Sequence, residues 1–371
     1  MLLITGTTGF VGMSVLARYL ERTDGRICAL VRADDAEGAG ERVRATLATL
    51  FGEEACDAYA GRVLAVPADL ETDDLGLSAA ERDGLAAQVD EIVHCAASVS
   101  FTLPIDESRA INVEGTRRML EFAQLCENRV GLRRFSYIST AYVAGTHTGM
   151  FGEDDLEVGQ GFNNAYERSK FEAEQLVRDH RHSLPIQILR PSIVVGERTS
   201  GWTTSFNVLY APLRAFARGA YKALPGKPGA PVDVVPVDYV ADAVYELGRS
   251  GGEETYALVA GRRASTVGRL MDLSARYFDR PKPRLLRPVV YRRIVHPLLL
   301  AVTRGRRKRA LRGSEVFFPY FATTVRFDDR RARERLEPAG ISAAPVESYF
   351  DRLADFAVRT RWGRLGAPRS G

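Results

Sequence analysis

Short apolar runs alternate along the first half of the chain with stretches in which apolar residues recur every three or four positions. Leu2-Leu3-Ile4 predicts a strand, and Phe10–Arg22, with Val11, Val15, Leu16 and Leu20 on one face, predicts a helix. Further strands are predicted at Ile27–Val31, Val63–Val66, Glu91–His94, Phe135–Ser139 and Ile186–Leu189. Helices are expected around Asn112 to Cys126 and over Ala165–Asp179. These strands are continuously apolar rather than alternating, as strands covered on both faces must be. With helices between them, the pattern predicts a doubly wound α/β domain built on a parallel sheet.

After Gly196 the alternation stops. Pro, Gly and aromatic residues dominate Gly201–Gly229, one strand–helix unit returns at Val232–Arg249, and another strand is expected at Tyr256–Val259. Thr266–Trp362 reads as helices and loops. The expected organisation is a nucleotide-binding domain of residues 1–196 completed by 232–260. A smaller, mainly helical substrate-binding and C-terminal region comes from 197–231 and 261–371.

The 371 residues allow a deep core, and 45% hydrophobic with 26% charged residues excludes a disordered or fibrous chain. Cys28, Cys56, Cys95 and Cys126 form no C-x-x-C pair, which argues against a disulfide framework or a zinc site and for a reducing compartment. The five histidines show no metal-ligand spacing, so no metal is expected. Met1 leads directly into the first strand without a signal-like segment, and Ile294–Thr303 is too short to span a bilayer. The expectation is a cytoplasmic protein.

Gly6-Thr-Thr-Gly9-Phe-Val-Gly12 lies between the first strand and the first helix, where glycines let the backbone turn tightly and approach a pyrophosphate at the helix N-terminus. That placement makes it a Rossmann-type dinucleotide motif, with Gly6, Thr8, Gly9, Phe10, Val11 and Gly12 as cofactor-binding candidates. The second strand ends in Val31-Arg32 instead of an acidic residue. Arg32 can pair with a 2′-phosphate, which favours NADPH over NADH; the alternative is a solvated loop residue. Tyr166 and Lys170 stand one helical turn apart, in a chain with only five lysines beside 46 arginines. A phenol near pKa 10 transfers protons better when a neighbouring cation and a nicotinamide lower that value. Ser139-Thr140 closes the fifth strand at the carboxyl edge of the sheet, where ligands bind in such folds.

These motifs, with Asp69-Leu70, His94-Cys-Ala-Ala-Ser98, Asn112-Val-Glu-Gly-Thr116, Arg190-Pro-Ser-Ile193 and Val237-Asp-Tyr-Val-Ala241, stand in the order of extended short-chain dehydrogenase/reductases. More narrowly, Leu30-Val31-Arg32, His94–Phe101, Tyr137-Ile-Ser-Thr140 and Arg190–Gly196 followed by Gly201-Trp202 resemble the thioester reductase and fatty acyl-CoA reductase branch, the male-sterility type. The resemblance covers roughly residues 1–260. It implies catalytic roles for Thr140, Tyr166 and Lys170, with Asn112 supporting the active-site helix or a proton-relay water. It places Asp69 and Leu70 at the adenine, Ala96 and Ala97 on the path to the nicotinamide, Lys170 on its ribose, and Pro191 and Ser192 at its carboxamide. Ala68 departs from the family's usual glycine before the Asp-Leu pair. The implied reaction is NADPH-dependent reduction of an acyl thioester, carried by CoA or an acyl carrier protein, to an aldehyde and onward to an alcohol if the aldehyde rebinds. The alternative is another extended oxidoreductase or epimerase acting on a ketone, sterol or nucleotide sugar.

The net charge of +4 is unevenly spread. Residues 281–313 hold eleven Lys or Arg and no Asp or Glu, leaving 40 basic against 47 acidic residues elsewhere. This segment is an ordinary solvated helical face, a receiver for an acidic CoA or carrier arm, or a peripheral contact with an anionic membrane. No nucleic-acid recognition motif accompanies it. Phe317–Phe321 is expected to close a hydrophobic pocket or core.

Overall fold

Seven parallel strands form the central sheet of the computed structural model: β1 (Leu2–Thr5), β2 (Ile27–Val31), β3 (Val63–Pro67), β4 (Glu91–His94), β5 (Arg134–Ile138), β6 (Ile186–Pro191) and β7 (Thr255–Leu258). The structure describes residues 1–371 apart from 207, 314, 368, 370 and 371, and apart from the side chains of 306, 307, 309 and 310 within the basic segment. The strand order is β7-β6-β5-β4-β1-β2-β3, so the winding reverses between β1 and β4. Thr5 pairs with His94 in that register, which places the ends of both strands at the switch point where doubly wound sheets bind ligands.

The predicted doubly wound sheet is therefore present. Its central strands are buried along their whole length, while β3, at the edge, is half-exposed. On one face pack α1 (Phe10–Arg22) and α2 (Ala36–Phe51), through Val15, Leu16, Val43 and Leu47. The other face is covered by α3 (Gly115–Val130) and α4 (Ala165–Asp179), through Met119, Leu120, Ala173 and Val177. The helix α5 (Val237–Ser250) returns to the first face, where Tyr245 meets Tyr19 edge-on at 5.1 Å.

Several elements differ from the sequence pattern, α2 among them. Helical backbone begins at Ile105, seven residues before Asn112, and passes through a π-turn at Ala110–Glu114 before continuing as α3. Such turns insert a residue into the helix and often mark functional positions. The C-terminal region contains short strands as well as helices: Arg284–Leu286 pairs with Ala223–Pro225, and Val325–Phe327 with Gly149–Phe151. Around them Val195, Tyr210, Leu213, Leu270, Tyr349, Phe350 and Leu353 form a separate apolar cluster. Among the described residues no helix is long and apolar enough to cross a membrane.

Candidate active site

The chain leaves β1 at Gly6 with φ +73°, and a Cβ there would stand 2.8 Å from the Ala96 amide nitrogen. Gly12 presses on the same turn: a Cβ would come within 2.1 Å of the Gly6 carbonyl oxygen. The Gly9 amide donates to that oxygen (2.9 Å), and Gly9 opens α1 with no side-chain cap and no acidic residue in the first turn. The amides of Phe10, Val11 and Gly12 thus start a helix with its positive end free for an anion. Thr7 Oγ1, in the same turn, is buried without a hydrogen-bond partner, whereas Thr8 is exposed. A nicotinamide dinucleotide fits this cradle.

Arg32 directly follows β2, with its side chain 69% exposed and paired to Glu71 at 3.1 Å. Arg42 donates to the Arg32 carbonyl, which brings a second guanidinium alongside. Across from them, Asp69 accepts from the Glu71 amide (2.9 Å) and Leu70 packs against Gly115.

The ends of β1 and β4 are joined by a hydrogen-bond chain running in one direction. The Ala96 amide donates to Thr5 Oγ1 (3.1 Å), which lies 2.7 Å from His94 Nδ1. His94 Nε2 lies 3.2 Å from Thr116 Oγ1, whose hydroxyl donates to the Asn112 carbonyl (2.7 Å). Because the Thr116 hydrogen is already committed, Nε2 carries the imidazole proton and Nδ1 accepts from Thr5. Burial, reinforced by the Lys170 charge, pushes His94 down to about 3, so the neutral ring that the chain requires is the stable form. The unfolded chain protonates this histidine below about 6.5 and the folded one does not, so its contribution to stability is lost as pH falls from there towards 3. The variant His94→Gln should lose up to about 1.4 kcal/mol per pH unit of that acid slope. Urea unfolding at pH 6 and 4 checks it.

Asn112, in the π-turn, donates from Nδ2 to the Ser98 carbonyl (3.1 Å) and Ser169 Oγ (2.9 Å), and accepts from the Ser98 amide (2.7 Å). It ties the loop after β4 to α4, the helix that carries Tyr166 and Lys170. Lys170 is buried, and its ammonium donates to Tyr137 Oη (2.7 Å) and the Ile138 carbonyl (2.8 Å). Burial lowers it to about 7, against opposing pulls from Glu174 and Cys95. Tyr166 is raised to about 12 by burial, partly offset by a hydrogen bond with Thr140. The lowering of the phenol by the cation four residues on, expected from the sequence, is not what these side chains give: the Lys170 ammonium is held on β5 and Tyr166 stays a protonated phenol. Thr140 Oγ1 also accepts from the Tyr142 amide (3.2 Å) and reaches the Pro191 carbonyl (3.4 Å). Ser192 is buried beside Pro191, with its amide on the Leu258 carbonyl (3.2 Å).

One turn beyond Lys170 lies Glu174, fully buried, which accepts from Ser139 Oγ (2.6 Å) and from Arg190 (2.6 Å). The local sequence does not announce this pair or the His94 chain, since their partners come from distant segments. Nor does it announce the aromatic cover over Tyr166. The Phe101 ring sits 5.7 Å from Tyr166 and stacks on Tyr320 at 5.7 Å. Tyr320 is locked by donating to Glu167 (2.5 Å) and accepting from Asn164 (2.8 Å). Phe317, Tyr320 and Phe321 line an apolar cavity of about 100 Å³, walled also by Leu213, Phe216 and Leu270. The expected pocket-closing role of Phe317–Phe321 is what the structure shows.

A family model described as male sterility protein matches residues 4–244. The chain belongs to this family. Among its relatives is the non-canonical nonribosomal peptide synthetase FrzA of a Cladobotryum species, 30% identical, with the match covering 80% of this chain but 29% of that protein. The probable fatty acyl-CoA reductase 5 of Arabidopsis thaliana is 25% identical over 75% of this chain and 70% of its own length. Among solved structures, the terminal R domain from the myxalamid PKS-NRPS biosynthetic pathway superposes with a TM-score of 0.83 at 26% identity, covering 99% of this chain and 92% of that one. The male-sterility resemblance in the motifs is thereby borne out, and the glycine turn belongs to a nicotinamide-nucleotide-binding domain family.

Proposed function

We propose that this male sterility family member is an NADPH-dependent reductase of acyl thioesters, using CoA or carrier-protein esters and releasing an aldehyde. The observation that carries the reading is an apolar cavity whose lining residue Tyr320 stacks on Phe101, the ring packed against Tyr166. A cavity walled by aliphatic and aromatic side chains suits an acyl chain better than a nucleotide sugar. The names of the fatty acyl-CoA reductase and the R domain support the same class. In this reading residues 1–196 with 232–260 hold the coenzyme, and 197–231 with 261–371 hold the acyl group.

The turn at Gly6, Gly9 and Gly12 would hold the pyrophosphate, Ala96, Ala97, Pro191 and Ser192 the nicotinamide end, and Asp69 and Leu70 the adenine end. Bound NADPH supplies the hydride to the thioester carbonyl carbon. As negative charge develops on the carbonyl oxygen, the Tyr166 phenol donates its proton there and Thr140 adds a second hydrogen bond. Its pKa of about 12 keeps Tyr166 protonated and able to donate at neutral pH. The tetrahedral product then breaks its C–S bond, the thiol leaves with a proton, and the aldehyde remains. Lys170 holds the β5 end through Tyr137 and Ile138 and presents positive charge to the ribose. Since that ammonium deprotonates as pH rises past about 7, kcat/KM should fall on the alkaline side with a limb near that value; a pH–rate profile measures it.

Arg32 with Arg42 gives the coenzyme preference. Arg32→Asp should raise the KM for NADPH about tenfold or more and leave that for NADH little changed, as initial rates with the two coenzymes would show. The class of reaction is tested by NADPH consumption with acyl-CoA and acyl-carrier thioesters, ketones and nucleotide sugars, products identified by mass spectrometry. Thioester turnover to aldehyde supports the reading; inert thioesters with a consumed ketone or sugar overturn it.

A further inference from the structure

Twelve large hydrophobic side chains are exposed on the described surface, and five of them, Val289, Val290, Ile294, Leu298 and Val302, fall within fourteen consecutive residues. The backbone there is helical throughout: Pro288–Val290, a π-turn at Tyr291–Val295, then His296–Val302. Val290, Ile294, Leu298 and Val302 recur every four residues and so share one side, with exposures from 42% to 76%. The other side is anchored: Tyr291 and His296 are buried and meet the Phe318 ring edge-on at 5.4 and 5.1 Å. The outward aliphatic row is therefore fixed in place.

Charge decides what such a row faces. Arg287, Arg292, Arg293 and Arg304 around it are exposed, and the Gly305–Gly313 helix follows directly. Residues 281–313 carry eleven cations without one carboxylate, although the rest of the chain has more acidic than basic residues. A second copy would bring like charges together. An acidic protein would match the charge alone, but the exposed aliphatic row also calls for an apolar layer behind the negative charges. Aliphatic side chains aligned between guanidiniums match a surface that is apolar inside and anionic outside.

We propose that the Pro288–Val302 face docks this protein on an anionic membrane surface, with Ile294 and Leu298 entering the hydrocarbon boundary and Arg287, Arg292, Arg293 and Arg304 holding lipid phosphates. The face also adjoins the apolar cavity. The Arg284–Leu286 strand pairs with Ala223–Pro225, whose Leu224 lines the cavity, and Phe318 lies between the lining residues Phe317 and Phe321. The inference rests on this surface and holds whatever the cavity binds.

Flotation of the full chain with vesicles tests it, using phosphatidylcholine alone and phosphatidylcholine mixed with phosphatidylglycerol. Binding is expected to the mixed vesicles only, and to weaken as salt is raised. Arg292→Gln with Arg293→Gln should reduce partitioning about tenfold or more, and Ile294→Asp with Leu298→Asp should reduce it at least as far. Val130→Asp, an exposed apolar site elsewhere, should change nothing, and all variants should melt like the parent because the altered side chains are exposed. The proposal is overturned by equal binding to neutral vesicles, by no vesicle binding, or by partitioning that ignores these substitutions. It is equally overturned if the same substitutions abolish only a concentration-dependent dimer, or only capture by an acidic acyl carrier protein.

Discussion

Replacing Tyr166 with phenylalanine is expected to lower kcat about 10²–10⁴-fold, the usual loss for a positioned proton donor. The ring itself should stay in place, because Phe101 packs 5.7 Å from it and the change removes only the hydroxyl with its hydrogen bond to Thr140. KM for the thioester and the melting temperature should therefore change little. A loss confined to kcat is the signature of an interaction made only in the transition state. Steady-state kinetics with a thioester in excess reads it. If Tyr166→Phe instead raised KM and left kcat intact, the phenol would be a binding contact and the proton would come from elsewhere.

The second large effect is on stability. Glu174→Ala should destabilise the protein by about 3–5 kcal/mol, the typical cost of leaving a buried charge without its partner. Arg190 is 1% exposed, and what would remain around it, the carbonyls of Gly152, Glu153 and Asp155 and the Phe151 ring, cannot neutralise it. Changing both residues, Glu174→Leu with Arg190→Met, should recover only part of the loss, since those carbonyls then lose their donor. Urea unfolding of the two variants measures the difference. Glu174→Gln carries a further consequence, because the Glu174 charge raises the proton affinity of Lys170. Its alkaline activity limb should move to lower pH.

The central sheet was legible because buried parallel strands must be continuously apolar, and Leu2-Leu3-Ile4 and Ile27–Val31 have no other good reading. The glycine turn was legible for a related reason: Gly6 and Gly12 touch backbone, so no other residue fits. Tyr166 and Lys170 were legible as a pair because a helix brings residues four apart together. What each does there was not, since the Lys170 contacts are on β5. The α2 helix gave little sign of itself, its buried face being built partly from Ala39 and Thr46, and three-residue strands such as Ala223–Pro225 are too short to show any period. The π-turn leaves no mark in the sequence, because nothing in Ala110–Glu114 breaks a helix. Asn112 bridges Ser98 and Ser169 there, contacts that exist only once the loop and α4 have come together. Tyr320 and Glu167 meet across 153 residues of sequence, beyond the reach of any local pattern.

The most direct measurement follows an isotope. NADPH deuterated at C4 of the nicotinamide, incubated with the protein and an acyl thioester, should give an aldehyde carrying one deuterium on its carbonyl carbon, with the Tyr166→Phe variant giving almost none in the same time. An aldehyde without the label, or label delivered to a ketone or a sugar while the thioester survives, would contradict thioester reduction at this site.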